Sequence, residues 1–256
     1  MTKDIILEAK SLTKAFGSLV AVDDVSIAIQ AKTMHAIIGP NGAGKTTLFN
    51  LLSGVLPPTK GEVFYKGENI TSLPPYKRAH LGIGRSYQIT NIFPNLSVIE
   101  NVRLAAQAKG KDNFKLFRKV DDFHEYVNKA YEVIGIVDLA GRANDFARDL
   151  THGEKRKLEL GIMLACDPEL LLFDEPTAGM SSDQVPELIS IINQIVQQRE
   201  RTAILVEHRM DVVMSISDVV TVMNQGRILA EGAPSDIANN QQVQTAYLGD
   251  LYGELA

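Results

Sequence analysis

The run Gly39-Pro40-Asn41-Gly42-Ala43-Gly44-Lys45-Thr46, followed by Thr47, has the pattern G-x-x-x-x-G-K-[ST]. Its chemistry is phosphate binding. Glycines let the backbone curl so that successive N–H groups face phosphate oxygens, and a helix starting behind the loop adds partial positive charge. In such a loop Lys45 reaches the β- and γ-phosphates and the Thr46 hydroxyl helps hold Mg²⁺. A second group of reactive residues stands far along the chain, where Leu170-Leu171-Leu172-Phe173 runs into Asp174 and Glu175. An acid at the end of a buried strand suits the Mg²⁺ side of a phosphate-loop site, and a second acid beside it suits polarisation of an attacking water. Neighbouring strand residues point to opposite faces, so the two carboxylates can do different jobs. Taken alone, the pair reads equally well as solvated acids ending a strand.

The elements around these residues can be read from periodicity. Residues 34–38 form a short apolar strand entering the phosphate loop, and residues 45–53 carry Leu48, Leu51 and Leu52 at helical spacing. Val25, Ile27 and Ile29 alternate as on a half-buried strand, and Ile5 and Leu7 begin a similar run. Residues 61–70 read as a hairpin turning at Lys66-Gly67. Ser97 and Glu100 have capping-box spacing, and helices are expected from there to about residue 164. Apolar strands return at 170–173 and 203–206. Between them Ile189, Ile192, Ile195 and Val196 mark an amphipathic helix with Pro186 in its first turn. Residues 219–230 read as a second hairpin through Asn224-Gln225-Gly226.

Composition narrows the class. The chain has 256 residues, 45% hydrophobic and 22% charged, with a formal net charge of -5. These fractions are those of a globular protein and exclude collagen-like, disordered and disulfide-rich classes. One cysteine, Cys166, forms no internal bridge and is expected in the core. The acidic balance argues against a dedicated nucleic-acid binder. No run approaches the roughly 20 apolar residues of a membrane span, and the first residues do not read as a secretory signal. GTPases read their base with Asn-Lys-x-Asp; Asn128-Lys129 is followed by Ala130-Tyr131 instead. A nucleoside kinase accounts for the phosphate loop but not for the motifs that follow.

Further motifs fall in the order of one family along the whole chain. The sequence resembles the ATP-binding subunit of an ABC transporter. That resemblance implies an α/β fold: a phosphate-loop, RecA-like core with an N-terminal antiparallel β-subdomain and an inserted α-helical subdomain. It places the core at 1–88 and 165–256 and the helical signature subdomain at 89–164. Phe16 sits where the family stacks an aromatic on adenine. Gln88, in Arg85-Ser86-Tyr87-Gln88, matches the glutamine associated with Mg²⁺, the lytic water and signalling to the membrane domain. His208, in Val206-Glu207-His208, matches the switch histidine near the γ-phosphate. The signature Leu-Ser-Gly-Gly-Gln is replaced by Leu150-Thr151-His152-Gly153-Glu154. Thr151, Gly153 and Glu154 are carried over as nucleotide contacts, while His152 and Glu154 depart from the pattern. Ser181 ends the D-loop, Thr177 to Ser181, where the family often has Asp.

Finer likeness points to the longer ATPase subunit of the branched-chain amino-acid importers. It is carried by residues 82–88 and 92–102, the Thr-His-Gly-Glu signature, and Ala246-Tyr247-Leu248-Gly249-Asp250. Urea importers and the lipopolysaccharide-export ATPase share much of this pattern. The resemblance implies ATP and Mg²⁺ as ligands and a second ATPase subunit, identical or different, as partner. It further implies integral-membrane permease subunits, a periplasmic or extracellular solute-binding protein, and a peripheral place on the cytoplasmic face of the inner membrane. Two other classes stay open, a soluble ABC ATPase acting on ribosomes or DNA and a non-catalytic docking subunit. Residues 109–119 hold five bases, one acid and two phenylalanines, a solvated helix face or a contact with anionic headgroups.

Overall fold

The computed structural model describes residues 4–86, 92–110, 124–198 and 201–253. Its strands are β1 Ile5–Phe16, β2 Leu19–Gln30, β3 Met34–Ile38, β4 Lys60–Tyr65, β5 Glu68–Asn69, β6 Ile83–Arg85, β7 Leu170–Asp174, β8 Thr202–Val206, β9 Val219–Asn224 and β10 Arg227–Gly232. Its helices are α1 Lys45–Ser53, α2 Pro75–His80, α3 Val98–Lys109, α4 His124–Ile136, α5 His152–Ala165, α6 Val185–Gln198, α7 Met210–Ile216, α8 Pro234–Ala238 and α9 Gln241–Gly253. Two sheets organise them, an antiparallel one in the order β2-β1-β4-β5 and a larger one in the order β10-β9-β3-β8-β7-β6. In the larger sheet β9, β3, β8, β7 and β6 run parallel, and only β10 pairs antiparallel to its neighbour.

The central strands β3, β7 and β8 are buried at every position, which their unbroken apolar runs require. Alternation still sorts the side chains. Leu171, Phe173, Ala203 and Leu205 pack with the helices α3 to α6. Leu170, Leu172, Ile204 and Val206 pack with α1 and the inner face of the antiparallel sheet. A third cluster joins Ala36, Ile38, Val220 and Val222 to α7, α8 and α9. Ile5 and Leu7 do not share a face: Leu7 is buried and Ile5 is exposed, because the β1–β2 register shifts between them.

Helix ends follow local chemistry. Ser97 caps α3 by accepting from the Glu100 N–H at 3.3 Å, but the Glu100 carboxylate turns to Arg103 instead of completing a box. The full capping box belongs to α5. Thr151 Oγ1 accepts from the Glu154 N–H at 3.3 Å, and Glu154 Oε2 accepts from the Thr151 N–H at 2.8 Å. Cys166 follows α5 and is only partly buried, its thiol facing the Ala105 carbonyl at 3.5 Å. In the basic stretch, Lys109 donates to the Asp167 carbonyl at 3.2 Å, and 111–119 lie outside the described residues.

Buried polar groups tie the layers. The Arg78 guanidinium is enclosed and donates to the carbonyls of Leu51, Leu52, Ile70, Thr71 and Leu73, at 2.6 to 3.2 Å. It thus satisfies the end of α1 and pins the turn after β5 to it. Burial lowers its pKa to about 10. His35 on β3 meets Thr221 Oγ1 on β9 at 2.7 Å, and that hydroxyl donates to Glu231 Oε2 at 2.7 Å. A hydroxyl has one proton, so His35 Nε2–H must be the donor to Thr221. Burial pushes the His35 pKa down to about 4, so the 3.9 Å approach to Glu231 is not an ion pair at neutral pH.

Two stability predictions follow from these contacts. The depressed His35 pKa means that the unfolded chain takes up the proton first, so stability is full above pH 6.5 and falls toward pH 4. This single group accounts for a loss of about 3 kcal/mol over that window. Urea midpoints at pH 7.5 and 4.5 should therefore differ less in His35→Gln than in the wild type; equal differences refute the assignment. At α5, Glu154→Gln should keep the thermal midpoint, since an amide oxygen can still accept from Thr151, whereas Glu154→Ala should lose about 1 kcal/mol.

Candidate functional site

The parallel strands end level with one another. Asp174 pairs with Val206 across β7 and β8, and Ile37 pairs with Val206 across β3 and β8. The segments leaving the carboxyl ends of these three neighbours therefore meet at one edge, the usual place for a ligand in a parallel sheet. They are the phosphate loop after β3, Asp174-Glu175 at the end of β7, and Glu207-His208 after β8.

The phosphate loop is shaped by close backbone packing. Gly39 and Gly44 have φ of 153° and 96°, and a Cβ on either would collide with a carbonyl oxygen, that of Met223 or that of Ala21. Both positions therefore demand glycine on two grounds. Lys45 is buried, and its Nζ donates to the carbonyls of Gly39 and Pro40 at 2.7 and 2.9 Å, so the ammonium is held inside the curl of its own loop. Asn41 and Gly42 are exposed at the loop's crest, Ala43 is buried, Thr46 is exposed and Thr47 half-buried at the start of α1.

Asp174 is 4% exposed, and its Oδ1 has no hydrogen-bond partner among the described residues. Oδ2 faces Arg85 Nη2 at 3.4 Å. Burial raises the Asp174 pKa, partly opposed by Arg85. Arg85 also donates to Asn50 Oδ1 at 2.7 Å and to Ser53 Oγ, and lies over the Phe49 ring at 4.8 Å. This arginine, which sequence reasoning passed over, thus links the phosphate-loop helix to the buried Asp174 carboxylate. A buried carboxylate oxygen lacking a donor fits a hydrated divalent cation, as does the exposed hydroxyl of Thr46.

Glu175 has φ of 48°, unusual for a residue with a side chain. Its N–H still pairs with the Val206 carbonyl at 2.9 Å, and the backbone then departs from the strand. The two acids diverge because of this turn, not through the pleat alone. Glu175 Oε1 receives a hydrogen bond from His208 Nε2 at 2.8 Å. A carboxylate only accepts, so the imidazole carries its proton on Nε2.

The other predicted residues lie farther out. Phe16 is at the end of β1, 47% exposed with the Lys14 ammonium 5.2 Å from its ring, so it is a surface platform and not a core residue. Thr151, Gly153 and Glu154 open α5, with Thr151 at its N-cap. The hydrogen bond from the Thr151 backbone N–H chiefly lowers the Glu154 pKa, with burial opposing it. His152 lies against Gly179, where a Cβ would be 3.3 Å from its Cε1, so signature and D-loop touch within one chain. Gln88 lies outside the described residues; two positions before it, Ser86 Oγ accepts from the Asp174 N–H at 3.2 Å.

Comparison with known proteins places this arrangement. The family model described as "ABC transporter" matches residues 22–178, and "Branched-chain amino acid ATP-binding cassette transporter" matches residues 227–251. The high-affinity branched-chain amino acid transport ATP-binding protein BraF of Pseudomonas aeruginosa is 37% identical over 253 residues, covering 96% of this chain and 98% of its own length. The corresponding protein LivG of Escherichia coli K12 is 36% identical over 250 residues, covering 96% and 98%. A nucleotide-free ATP-binding cassette from an ABC transporter superposes with a TM-score of 0.82 at 28% identity, covering 95% and 98%. With the phosphate loop, the paired acids and the histidine on one sheet edge, these likenesses establish that the chain belongs to the ATP-binding, ATP-hydrolysing subunits of ABC transporters.

Proposed function

We propose that this subunit powers amino-acid import, with branched-chain amino acids as the substrate class. The observation that carries the chemistry is the meeting of Lys45, Asp174 and the Glu175–His208 pair at the ends of three neighbouring strands. The substrate class is supported by the importer relatives along almost the whole chain and by the C-terminal match at 227–251.

In this reading the backbone N–H groups of 39–44 and Lys45 bind the β- and γ-phosphates of ATP. Phe16 stacks on the adenine, with Asn41, Gly42, Ala43 and Thr47 completing the phosphate side. Thr46, Asp174 and Gln88 would hold Mg²⁺, which would supply charge neutralisation at the transferred phosphate. Glu175 accepts a proton from the attacking water, and His208 holds that carboxylate in place and faces the γ-phosphate. Thr151, Gly153 and Glu154 act on the nucleotide of a second ATPase subunit, identical or homologous. The work is positioning and charge stabilisation more than covalent chemistry.

Among the described residues no helix is long and apolar enough to cross a membrane. We place the chain at the cytoplasmic face of the inner membrane, attached to separate permease subunits that work with a solute-binding protein. A groove of about 510 Å³ between α2 and α5, lined by Tyr76, Ala79, Met163 and Cys166 among others, adjoins Arg85 just before the Gln88 segment. It suits a segment of the permease, so that closure around ATP moves the membrane subunit. The division into a core at 1–88 and 165–256 and a helical part at 89–164 belongs to the same proposal.

Replacing Glu175 by Gln should abolish turnover, by about a thousandfold or more in kcat, while ATP binding survives. ATPase rate and nucleotide affinity of the complex test this; near-wild-type turnover removes Glu175 as the base. Reconstituted with its membrane and binding-protein partners, the chain should support ATP-dependent uptake of leucine, isoleucine or valine. Uptake of urea alone would replace the substrate class while leaving the ATPase reading intact.

A further inference from the structure

Glu207 carries no role in the mechanism above, yet it is 3% exposed. A carboxylate buried to this degree is costly unless its oxygens are satisfied. Both are, and each by a different loop. Oε1 accepts from the Thr177 N–H at 3.3 Å and from the Thr177 hydroxyl. Oε2 accepts from the N–H groups of His208 and Arg209 at 2.8 and 3.3 Å. Thr177 is itself buried and stands two residues after Glu175, while His208 is the next residue after Glu207. The Glu175–His208 contact at 2.8 Å and the Thr177–Glu207 contact thus close a ring: two short backbone segments joined by two side-chain hydrogen bonds.

We propose that Glu207 is a positioning residue for hydrolysis, a clamp that joins the D-loop to the histidine loop and so sets Glu175 against His208. This rests on the assignment of Glu175 as base. The physical case is that neither loop is fixed by packing alone. Glu175 sits at a positive φ that a residue with a side chain adopts at some cost, so its backbone needs an external hold. The histidine side chain is nearly half exposed, and its Nε2 contact to Glu175 is the hydrogen bond that orients the ring toward the acid. A neutral or apolar residue at 207 could fill the space, but it could not accept from both loops at once. The D-loop segment that Thr177 opens also touches the signature through Gly179 and His152, so the clamp would pass movement of the signature helix to the Glu175–His208 pair.

The test uses the complex purified with its membrane subunits and reads kcat and the KM for ATP separately, with E175Q as reference. Glu207→Gln keeps the size but offers one acceptor oxygen and two donors, so it can serve only one loop. It should lower kcat about tenfold or more, with KM for ATP changed no more than about twofold. Thr177→Val should lower kcat about threefold, and Thr177→Ser should restore it. The double variant E207Q/T177V should be no slower than E207Q alone, since both break one linkage. Wild-type kcat in E207Q, multiplying losses in the double variant, or a loss confined to KM overturns the clamp. If E207Q fails to fold, equal kcat in T177V and T177S overturns it. A dead E175Q beside a normal E207Q removes only the clamp, whereas a normal E175Q removes the base assignment on which it stands.

Discussion

Everything at the site depends on three strands that are buried on both faces and stop at the same level. Apolar residues on β3, β7 and β8 point alternately to the helices and to the antiparallel sheet, so the strands cannot slide without exposing one set or the other. Register is thereby set with Ile37, Val206 and Asp174 abreast. The phosphate loop, the acid pair and the histidine are far apart in sequence, and they become neighbours because hydrophobic register delivers their strand ends to one edge.

Apolar packing sets that edge but does not orient the polar groups on it. That task falls to a few buried hydrogen-bonding side chains. Arg78 satisfies the last carbonyls of α1, and Arg85 links the same helix to Asp174, so the helix behind the phosphate loop is held at its far end from two directions. Glu207 holds the loops that follow Glu175 and carry His208. Each of these groups is expensive to bury and meets its cost with directed partners. The result is a site whose floor is tied by directed hydrogen bonds while its crest, at Asn41, Gly42 and Thr46, stays open to solvent.

The departures from the family's signature have a physical reading in this setting. Glu in place of Gln at 154 preserves the capping box, because either side chain can accept from the N–H of Thr151. Histidine in place of glycine at 152 rests against Gly179, filling a contact between signature and D-loop. Neither change disturbs the first turn of α5, which keeps its full capping box.

Periodicity alone revealed most of the elements, because the strands and helices here bury continuous apolar runs or clean stripes. The phosphate loop and the Asp174-Glu175 pair were legible since their chemistry demands contiguous residues. Phe16, His208 and the signature were visible only through family resemblance, since a single aromatic or histidine has no pattern of its own. The bulge between Ile5 and Leu7, the true owner of the capping box and the partial exposure of Cys166 escaped the sequence, being set by strand pairing and by which neighbours happen to compete for a side chain. Arg85 and Glu207 were invisible for the same reason. Each acts on residues dozens of positions away, and only the packed sheet brings those partners within hydrogen-bonding reach. Sequence thus determined the elements and the reactive groups, which depend on local spacing. Tertiary structure decided which buried charges hold them, because that depends on partners that local spacing does not encode.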